Sequence, residues 1–287
     1  MASEALETTI AMLRELTLLT GDPVADREMI STGTEMPAGI PHEMVTVADR
    51  AAAWITDGAR EDAAILYLHG GGYVLGGIGT HGGLGARLSA ATGLSVLVLD
   101  YRLAPEHTYP AALDDALAGI TWLGDRGIDP TKIVVAGDSA GGGLTLATLA
   151  ALRDRGTTVA AGVALSPWAD LTCTNPSFDT RADVDPLVAP GPLRAYAEAY
   201  AGGVALDDPG LSPGRGDLSG LPPVLIQVGG NEILFDDSVR TAEAIEAAGG
   251  RVELQRWDEA VHVFQMFHTP ESDEAIDEIA SFVGGLV

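Results

Sequence analysis

The chain has 287 residues, of which 46% are hydrophobic, so it can bury a large core without needing two independent domains. Its formal net charge of −25 argues against nucleic acid or an anionic membrane surface as a partner, because both are negatively charged. The single cysteine, Cys173, excludes an intramolecular disulfide and suits a reducing compartment, so a cytoplasmic protein is expected.

An amphipathic helix is predicted over residues 3–19, near the start of the chain. One helical face carries Leu6, Ile10, Leu13 and Thr17. Gly21 and Pro23 follow as stop signals. Because charged residues interrupt its apolar ones, the segment is expected to be neither a signal-peptide core nor a membrane span.

Strands and helices are predicted to alternate through the rest of the chain, as in a doubly wound α/β sheet. The strand candidates are residues 43–48, 52–56, 63–68, 94–99, 132–137, 160–165, 223–228 and 252–257. The later ones are nearly continuous apolar runs, which is typical of parallel strands covered on both faces. Between residues 169 and 220 this rhythm breaks, because many Pro, Gly and Asp residues surround one helical segment, residues 192–200.

A glycine run, His-Gly-Gly-Gly at residues 69–72, follows the strand candidate 63–68. Consecutive glycines leave backbone N–H groups uncovered by side chains, and such donors suit an oxyanion. The N–H groups of Gly71 and Gly72, with that of Ala140 farther along the chain, are the candidates. A phosphate-binding loop is the competing interpretation, but neither G-x-G-x-x-G nor a G-K-[ST] ending is present.

Ser139 lies within Gly-Asp-Ser-Ala-Gly-Gly, residues 137–142, between an apolar β-branched run and an apolar helical stretch. This pattern predicts a sharp strand-to-helix turn, and small neighbours allow the strand and helix to approach closely. The serine hydroxyl would then lie at a helix N-terminus, where developing negative charge is stabilised. The alternative is a helix-capping serine. Asp138 is expected to order the turn rather than to titrate in catalysis.

A nucleophilic serine needs a base, and His262 follows the last strand candidate by a short loop. Neutral imidazole can take a proton and return it near physiological pH. Of the other histidines, His69 is interpreted as fixed beside the glycines, and His81 could line the site. His107 belongs to a turn, and His42 and His268 are expected on the surface.

Glu232 and Asp236 follow the strand candidate 223–228, and either carboxylate could orient that histidine. Asp236 precedes the predicted helix 238–248, so a role as helix N-cap or first-turn acid also explains it. Asp183 and Asp185, between residues 169 and 220, are expected to be solvated loop residues.

These motifs occur together with Tyr-Arg-Leu-Ala-Pro-Glu at residues 101–106, Ser-Pro-Trp-Ala-Asp-Leu at 166–171 and the closing His-Val-Phe at 262–264. In this order they resemble the bacterial hormone-sensitive-lipase-like esterases, a branch of the α/β-hydrolases, from about residue 40 to the C-terminus. The resemblance implies a mostly parallel eight-stranded sheet flanked by helices, with a helical cap. The expected division is 1–40 for the N-terminal part of the cap, 41–168 and 216–287 for the core, and 169–215 for the cap insertion.

The same resemblance implies a Ser-His-acid hydrolase that cleaves short-chain or small hydrophobic carboxylic esters through an acyl-enzyme, with no metal or organic cofactor. The family pattern Asp-x-Leu-x-Asp, aligned on Leu234, puts Glu232 at the position of the triad acid, where aspartate is usual. Aromatic residues could form the pocket wall or could simply pack within the cap: Trp168, Phe178, Tyr196 and Tyr200.

Other functions stay open at this point. A lactone hydrolase, an amidase or an arylformamidase would share every one of these motifs. A non-catalytic small-ligand receptor, as in the plant gibberellin receptors, is disfavoured because those proteins resemble esterases that have lost the catalytic histidine, and His262 remains here. The oligomeric state is also left open, a homodimer included.

Overall fold

A single eight-stranded sheet forms the centre of the computed structural model, which describes residues 2–16, 19–30, 36–56 and 59–287. The strands are β1 (Glu43–Val47), β2 (Arg50–Ile55), β3 (Arg60–Leu68), β4 (Leu94–Leu99), β5 (Ile133–Asp138), β6 (Ala161–Leu165), β7 (Val224–Asn231) and β8 (Val252–Val261). Their order is β1-β2-β4-β3-β5-β6-β7-β8. β2 is antiparallel to β1 and β4, and the other neighbours are parallel. The predicted mostly parallel eight-stranded sheet is confirmed.

Helices flank this sheet. They are α1 (Glu4–Arg14), α2 (Pro23–Ile30), α3 (Ile78–Thr92), α4 (Ala111–Asp125), α5 (Ala140–Asp154), α6 (Ser177–Thr180), α7 (Pro190–Ala201), α8 (Phe235–Ala247) and α9 (Pro270–Gly284). Short 3₁₀ turns occupy Pro130–Lys132, Pro213–Arg215 and Phe264–Met266. In the part of the chain that the structure describes, none of the helices is both long and apolar enough to cross a bilayer.

The central strands are buried on both faces, because helices cover each side of the sheet. In β3 the side chains of Leu66 and Leu68 join one apolar core, whereas those of Ile65 and Tyr67 join the other. This division follows from the alternation of side chains along a strand. α5 crosses so close to β3 that a Cβ atom on Gly141 would lie 1.9 Å from the carbonyl oxygen of Leu68. Glycine at this position therefore allows the close approach that the sequence predicted.

The N-terminal helix α1 packs on the core instead of continuing to residue 19. Ser3 caps it by accepting a hydrogen bond from the N–H of Leu6 at 3.1 Å. The buried Leu6 and Leu13 join a small apolar cluster at the end of β8 and on α9, with Ala260, Val261, Phe264 and Ala275. The helix ends at Arg14. Thr17, placed on its apolar face above, lies outside the described residues.

A second N-terminal helix, α2, was missed by the sequence analysis. Pro23 was interpreted as a stop signal, but in the structure it begins α2. Proline suits the first position of a helix because the N–H it lacks would have no partner there. The same residue therefore signals an end or a beginning, and only the neighbouring structure distinguishes the two.

The insertion between β6 and β7 contains α6, α7 and the 3₁₀ turn Pro213–Arg215. The predicted helix 192–200 is confirmed as α7, which extends slightly farther in both directions, from Pro190 to Ala201. The 3₁₀ turn packs against α5 and α8. The last part of the insertion therefore packs on the core before β7 begins, and α7 lies between the first and last parts of the insertion.

Candidate active site

The sequence-predicted site residues lie at the carboxyl ends of neighbouring parallel strands, where open α/β sheets bind their ligands. Ser139 directly follows β5, Glu232 follows β7 and His262 follows β8. The glycine run 69–72 follows β3, which is the neighbour of β5 in the sheet. Four segments that are distant along the chain therefore meet at one edge.

Ser139 occupies a strained turn between β5 and α5, with φ 53° and ψ −120°. Its N–H donates to the carbonyl oxygen of Leu165 at 2.8 Å, and its own carbonyl accepts from the N–H of Trp168 at 2.9 Å. These bonds hold the unusual backbone conformation. Ser139 stands at the N-cap position of α5, yet its side chain makes no capping hydrogen bond. The structure therefore lends no support to the capping alternative.

Glu232, and not Asp236, lies beside His262. Nδ1 of His262 is 2.6 Å from Oε2 of Glu232, and the Glu232 side chain is fully buried. The other carboxylate oxygen accepts from the N–H of Gly229 at 2.6 Å and from the hydroxyl of Ser166 at 2.8 Å. Asp236 lies in the first turn of α8, as one of the two sequence interpretations had it.

Ser166 is a site residue to which the sequence analysis gave no role, although it begins a recognised motif. Its hydroxyl donates to Glu232 and accepts from the N–H of Val263 at 3.1 Å. Ser166 itself has a positive φ of 46°. It joins the loop of the acid to the loop of the histidine. A small polar residue at the end of β6, between the strands that carry Ser139 and Glu232, was the available signal.

The pKa of His262 is raised above its ordinary value of 6.5. Burial alone would lower this pKa, but the hydrogen bond and negative charge of Glu232 outweigh burial, and the charges of Asp185 and Asp138 add to the rise. The arrangement therefore favours the imidazolium form, which is the form a general base becomes after it takes a proton.

Asp185 is not the solvated loop acid that the sequence analysis expected. Its carboxylate accepts from the N–H groups of Leu187 at 2.9 Å, Val188 at 3.0 Å and Ile233 at 2.9 Å. Burial is the main cause of the raised pKa of Asp185. An Asp-Pro pair that starts a turn was the missed signal, because an aspartate there bonds to backbone N–H groups two or three residues on.

The three candidate oxyanion donors point to no acceptor within the part of the chain that the structure describes. Among the described residues, none accepts a hydrogen bond from the N–H of Gly71, Gly72 or Ala140. Gly71 and Gly72 have φ values of 119° and 63°, and the N–H of Gly70 just before them donates to Asp138 at 3.0 Å. The carboxylate next to the nucleophile thus anchors the glycine run.

Asp138 is buried and bonded to side chains as well. It accepts from the hydroxyl of Tyr67 at 2.6 Å and lies 3.2 Å from Nε2 of His81. Burial alone would raise the pKa of Asp138, but these two residues lower it below its ordinary value. His69 is fully buried and stacks on Tyr101, with ring centroids 4.1 Å apart, and burial lowers the pKa of His69 to about 3.

A cavity of about 400 Å³ contains Ser139, His262, His81, Gly71 and Gly72 in its wall. The rest of the wall is mainly apolar: Leu19, Ile30, Leu75, Leu187, Val188, Leu193, Val263, Met266 and Phe267. Neither lysine nor arginine is among the described residues that line it. Within those residues, Ser139 and His262 share the wall without a hydrogen bond between them. Such catalytic contacts often tighten only when substrate binds.

Of the four aromatic residues considered for the pocket wall, only Tyr196 lines the cavity. Trp168 and Phe178 are 0% exposed within the core. Tyr200 stacks on Tyr73 with ring centroids 3.8 Å apart. The prediction that Trp168 and Tyr200 line the pocket is therefore wrong, because their rings are used in packing.

Comparison with known proteins agrees with this geometry. A family model described as alpha/beta hydrolase fold matches residues 65–266. An acetyl-hydrolase of Streptomyces hygroscopicus is 43% identical over 246 residues, which cover 85% of this chain and 82% of that protein. An esterase of Acinetobacter venetianus is 38% identical over 226 residues, covering 77% of this chain and 75% of that protein.

Solved structures extend the likeness to the whole fold. An esterase from the bacterial hormone-sensitive lipase (HSL) family has a TM-score of 0.92 and 42% sequence identity, covering 100% of this chain and 99% of that chain. The crystal structure of EstE5 soaked by p-nitrophenyl butyrate has a TM-score of 0.92 and 42% identity, covering 99% of each chain. The chain therefore belongs to the α/β-hydrolase fold family and, within it, to the bacterial hormone-sensitive-lipase-like esterases.

Proposed function

We propose that this protein is a serine carboxylesterase that hydrolyses short-chain or small hydrophobic esters through an acyl-enzyme. The observation that carries the proposal is the 2.6 Å contact between Glu232 and His262 at the wall of the cavity that Ser139 shares. In this proposal Ser139 is the nucleophile, His262 the general base and acid, and Glu232 the residue that orients the imidazole.

The reaction begins when Oγ of Ser139 attacks the ester carbonyl carbon and passes its proton to Nε2 of His262. The carbonyl oxygen becomes an alkoxide, and the N–H groups of Gly71, Gly72 and Ala140 stabilise it. The C–O bond to the alcohol then breaks, and His262 returns the proton to the leaving oxygen. In the second half, His262 takes a proton from water as the water oxygen attacks the acyl carbon. The bond from that carbon to Oγ of Ser139 then breaks, His262 returns the proton to Oγ, and the carboxylic acid leaves.

The cavity wall supports small, uncharged substrates. It is mainly apolar, and none of its described residues carries a cationic side chain that would pair with a substrate carboxylate. An anionic substrate would also be repelled by the net negative charge of the chain. The Streptomyces hygroscopicus relative is named an acetyl-hydrolase, and the EstE5 crystal was soaked by p-nitrophenyl butyrate, which agrees with short acyl groups.

The cap division is part of the same proposal. Residues 1–40 supply Leu19 and Ile30 to the cavity wall, and the insertion 169–215 supplies Leu187, Leu193 and Tyr196. These two segments would cover the site that the core builds. A cytoplasmic location and a homodimer remain predictions from the sequence.

A panel of p-nitrophenyl esters of increasing acyl length, with a lactone and an anilide, tests the proposal. Fastest turnover is expected on the short esters, and Ser139→Ala should lower kcat by about 10⁴-fold or more. A serine-directed organophosphate should label Ser139 and no other residue. Activity of Ser139→Ala within about tenfold of the wild type would contradict the mechanism. Preference for the lactone or the anilide would move the substrate class to the alternatives that share these motifs.

A further inference from the structure

We propose that a hydrogen bond between Tyr196 and Asp26 joins the two parts of the cap and limits the substrate chain length that the cavity accepts. The inference rests on the proposed esterase function. Tyr196 lies on α7, within the insertion, whereas Asp26 lies on α2, near the N-terminus. The Tyr196 hydroxyl donates to Oδ2 of Asp26.

Asp26 is a fully buried carboxylate surrounded by donors. Besides Tyr196, it accepts from the N–H of Thr20 at 2.9 Å, from the Thr20 hydroxyl at 2.8 Å and from the N–H of Gly21 at 3.0 Å. Burial alone would raise the pKa of Asp26, but these bonds lower it below its ordinary value. The carboxylate is therefore charged at neutral pH, and hydrogen bonds to a charged acceptor are stronger than neutral ones.

Asp26 organises the N-terminal part of the cavity wall. Leu19 directly precedes Thr20, which Asp26 binds through two donors, and Ile30 follows Asp26 by one helical turn on α2. Both Leu19 and Ile30 line the cavity. Holding Asp26 in place therefore holds both apolar side chains in place.

The other side of α2 is attached to the core through Arg27. Its guanidinium donates to the carbonyl oxygens of Val74 and Ala104, and it pairs with Glu106 at 2.8 Å. α2 is therefore bonded to the core through Arg27 and to the insertion through Asp26. The Asp26–Tyr196 bond is thus a polar link between α2 and α7.

Tyr196 also touches the proposed oxyanion site. A Cβ atom on Gly72 would lie 2.5 Å from Cδ2 of Tyr196, so the ring rests against this glycine. Gly21 approaches the same helix, because a Cβ atom there would lie 3.2 Å from Cα of Pro192. The ring position is thus set by the core, whereas the hydroxyl sets where α2 lies relative to it.

Tyr196→Phe tests this arrangement because it removes the hydroxyl and keeps the ring against Gly72. Release of α2 would let the Leu19 and Ile30 wall move outward and bury more of a long chain. Each additional buried methylene is worth about fourfold in kcat/KM. The ratio of kcat/KM for p-nitrophenyl octanoate to that for the acetate should rise about fourfold or more.

Tyr200→Phe is the matched control, since it removes a tyrosine hydroxyl one turn farther along α7, from a ring that stacks on Tyr73. Its octanoate-to-acetate ratio should equal that of the wild type. Alkyl acetates of increasing length give a second series, in which the alcohol varies and the acyl group does not. A Tyr196→Phe ratio unchanged in both series would overturn the proposal, as would an equal change in Tyr200→Phe.

Asp26→Asn gives an independent variant if Tyr196→Phe does not fold, as judged by circular dichroism and a melting curve. Its amide oxygen can still accept from Tyr196 but without the charge, so a smaller rise in the same ratio is expected. An unchanged ratio in folded Asp26→Asn would also contradict the proposal. If the wild type hydrolyses neither series, the proposed function fails; if Ser139-dependent hydrolysis occurs and the ratio does not move, only this inference fails.

Discussion

Two regions of the molecule surround the cavity and are built differently. The floor, made of the residues that follow β3, β5, β7 and β8, is held by backbone packing and buried hydrogen bonds. Glu232 alone accepts three of these bonds. The roof, formed by α2 and α7, contributes apolar side chains and one polar link between its helices, from Tyr196 to Asp26.

This difference indicates how chemistry and selectivity can be separated in one fold. Most floor residues follow β3, β5 and β7, strands that are buried on both faces toward their carboxyl ends, so their positions are costly to change. Roof residues are attached by a few side-chain contacts, and Met29 on α2 is 51% exposed. Substitutions in the floor should therefore lower kcat, whereas substitutions in the roof should change KM and substrate preference.

The largest loss of activity is expected when Glu232, the carboxylate of the floor beside His262, is replaced. Glu232→Gln keeps the shape of the side chain but removes the charge that stabilises imidazolium, and loss of such an acid can lower kcat by about 10⁴-fold. Asp236→Asn is the matched control, because Asp236 lies in the first turn of α8 and should contribute about 1 kcal/mol or less to stability. Steady-state kinetics and melting curves of both variants measure the contrast. The reverse ranking of the two kcat losses would assign the acid to Asp236.

The contact between floor and roof should give the next largest effect. Gly72→Ala forces a Cβ atom into the Tyr196 ring, at a residue with φ 63°. Because the Gly72 N–H is a proposed oxyanion donor, its displacement should lower kcat by about 10²- to 10³-fold.

Gly124→Ala is the control for that substitution. Gly124 is exposed on α4, and a Cβ atom there meets nothing within 4 Å. Alanine at this helical position should leave kcat unchanged and stabilise the fold by up to about 1 kcal/mol. A Gly72→Ala variant with wild-type kcat would remove this glycine from the oxyanion site.

α1 sharpens the comparison because it belongs to the N-terminal segment yet packs on the core. Leu6 is 0% exposed, so Leu6→Ala should lower the free energy of unfolding by about 2–5 kcal/mol. Met12 on the same helix is 58% exposed, and Met12→Ala should change it by less than about 0.5 kcal/mol. Urea unfolding measures both. If Leu6→Ala altered chain-length preference without loss of stability, α1 would belong functionally to the roof.

The smallest predicted effect is a shift of the pH profile. The proposed mechanism requires neutral His262, whose pKa is raised, so the acidic limb of the kcat/KM profile should lie above pH 6.5. Asp185→Asn removes one of the charges that raise this pKa, so the limb should move to lower pH. Glu232→Gln should move it farther in the same direction, because Glu232 contributes more.

The same shift also affects stability, with a defined sign. Because the folded pKa of His262 lies above the unfolded value, protonation of His262 stabilises the fold fully below about pH 6.5, and this contribution is lost as the pH rises through the folded pKa. Melting temperatures measured across this range for the wild type and Glu232→Gln should converge at high pH. In the kinetic experiment, an acidic limb of the kcat/KM profile that stays at the same pH in Asp185→Asn would show that this carboxylate does not act on His262.

The sequence by itself determined the sheet and the order of the chemical groups along it. The pattern of residues along the chain predicted all eight strands, and the two glycine-containing motifs located Ser139 and the glycine run 69–72 at strand ends. These features are local, because side-chain periodicity and the conformational freedom of glycine depend on near neighbours. The resemblance to the family pattern, aligned on Leu234, favoured Glu232 over Asp236, and the structure brings Glu232 to His262.

Only the tertiary structure decided which side chains face the cavity. Tyr196 and Tyr200 are four residues apart on α7 and look equivalent in sequence, yet one lines the cavity and the other stacks on Tyr73. Asp26 and Tyr196 are 170 residues apart, and neither has a local pattern that predicts the other. Local rules specify where the backbone turns, whereas the partner of a side chain depends on segments that meet only after the chain has folded.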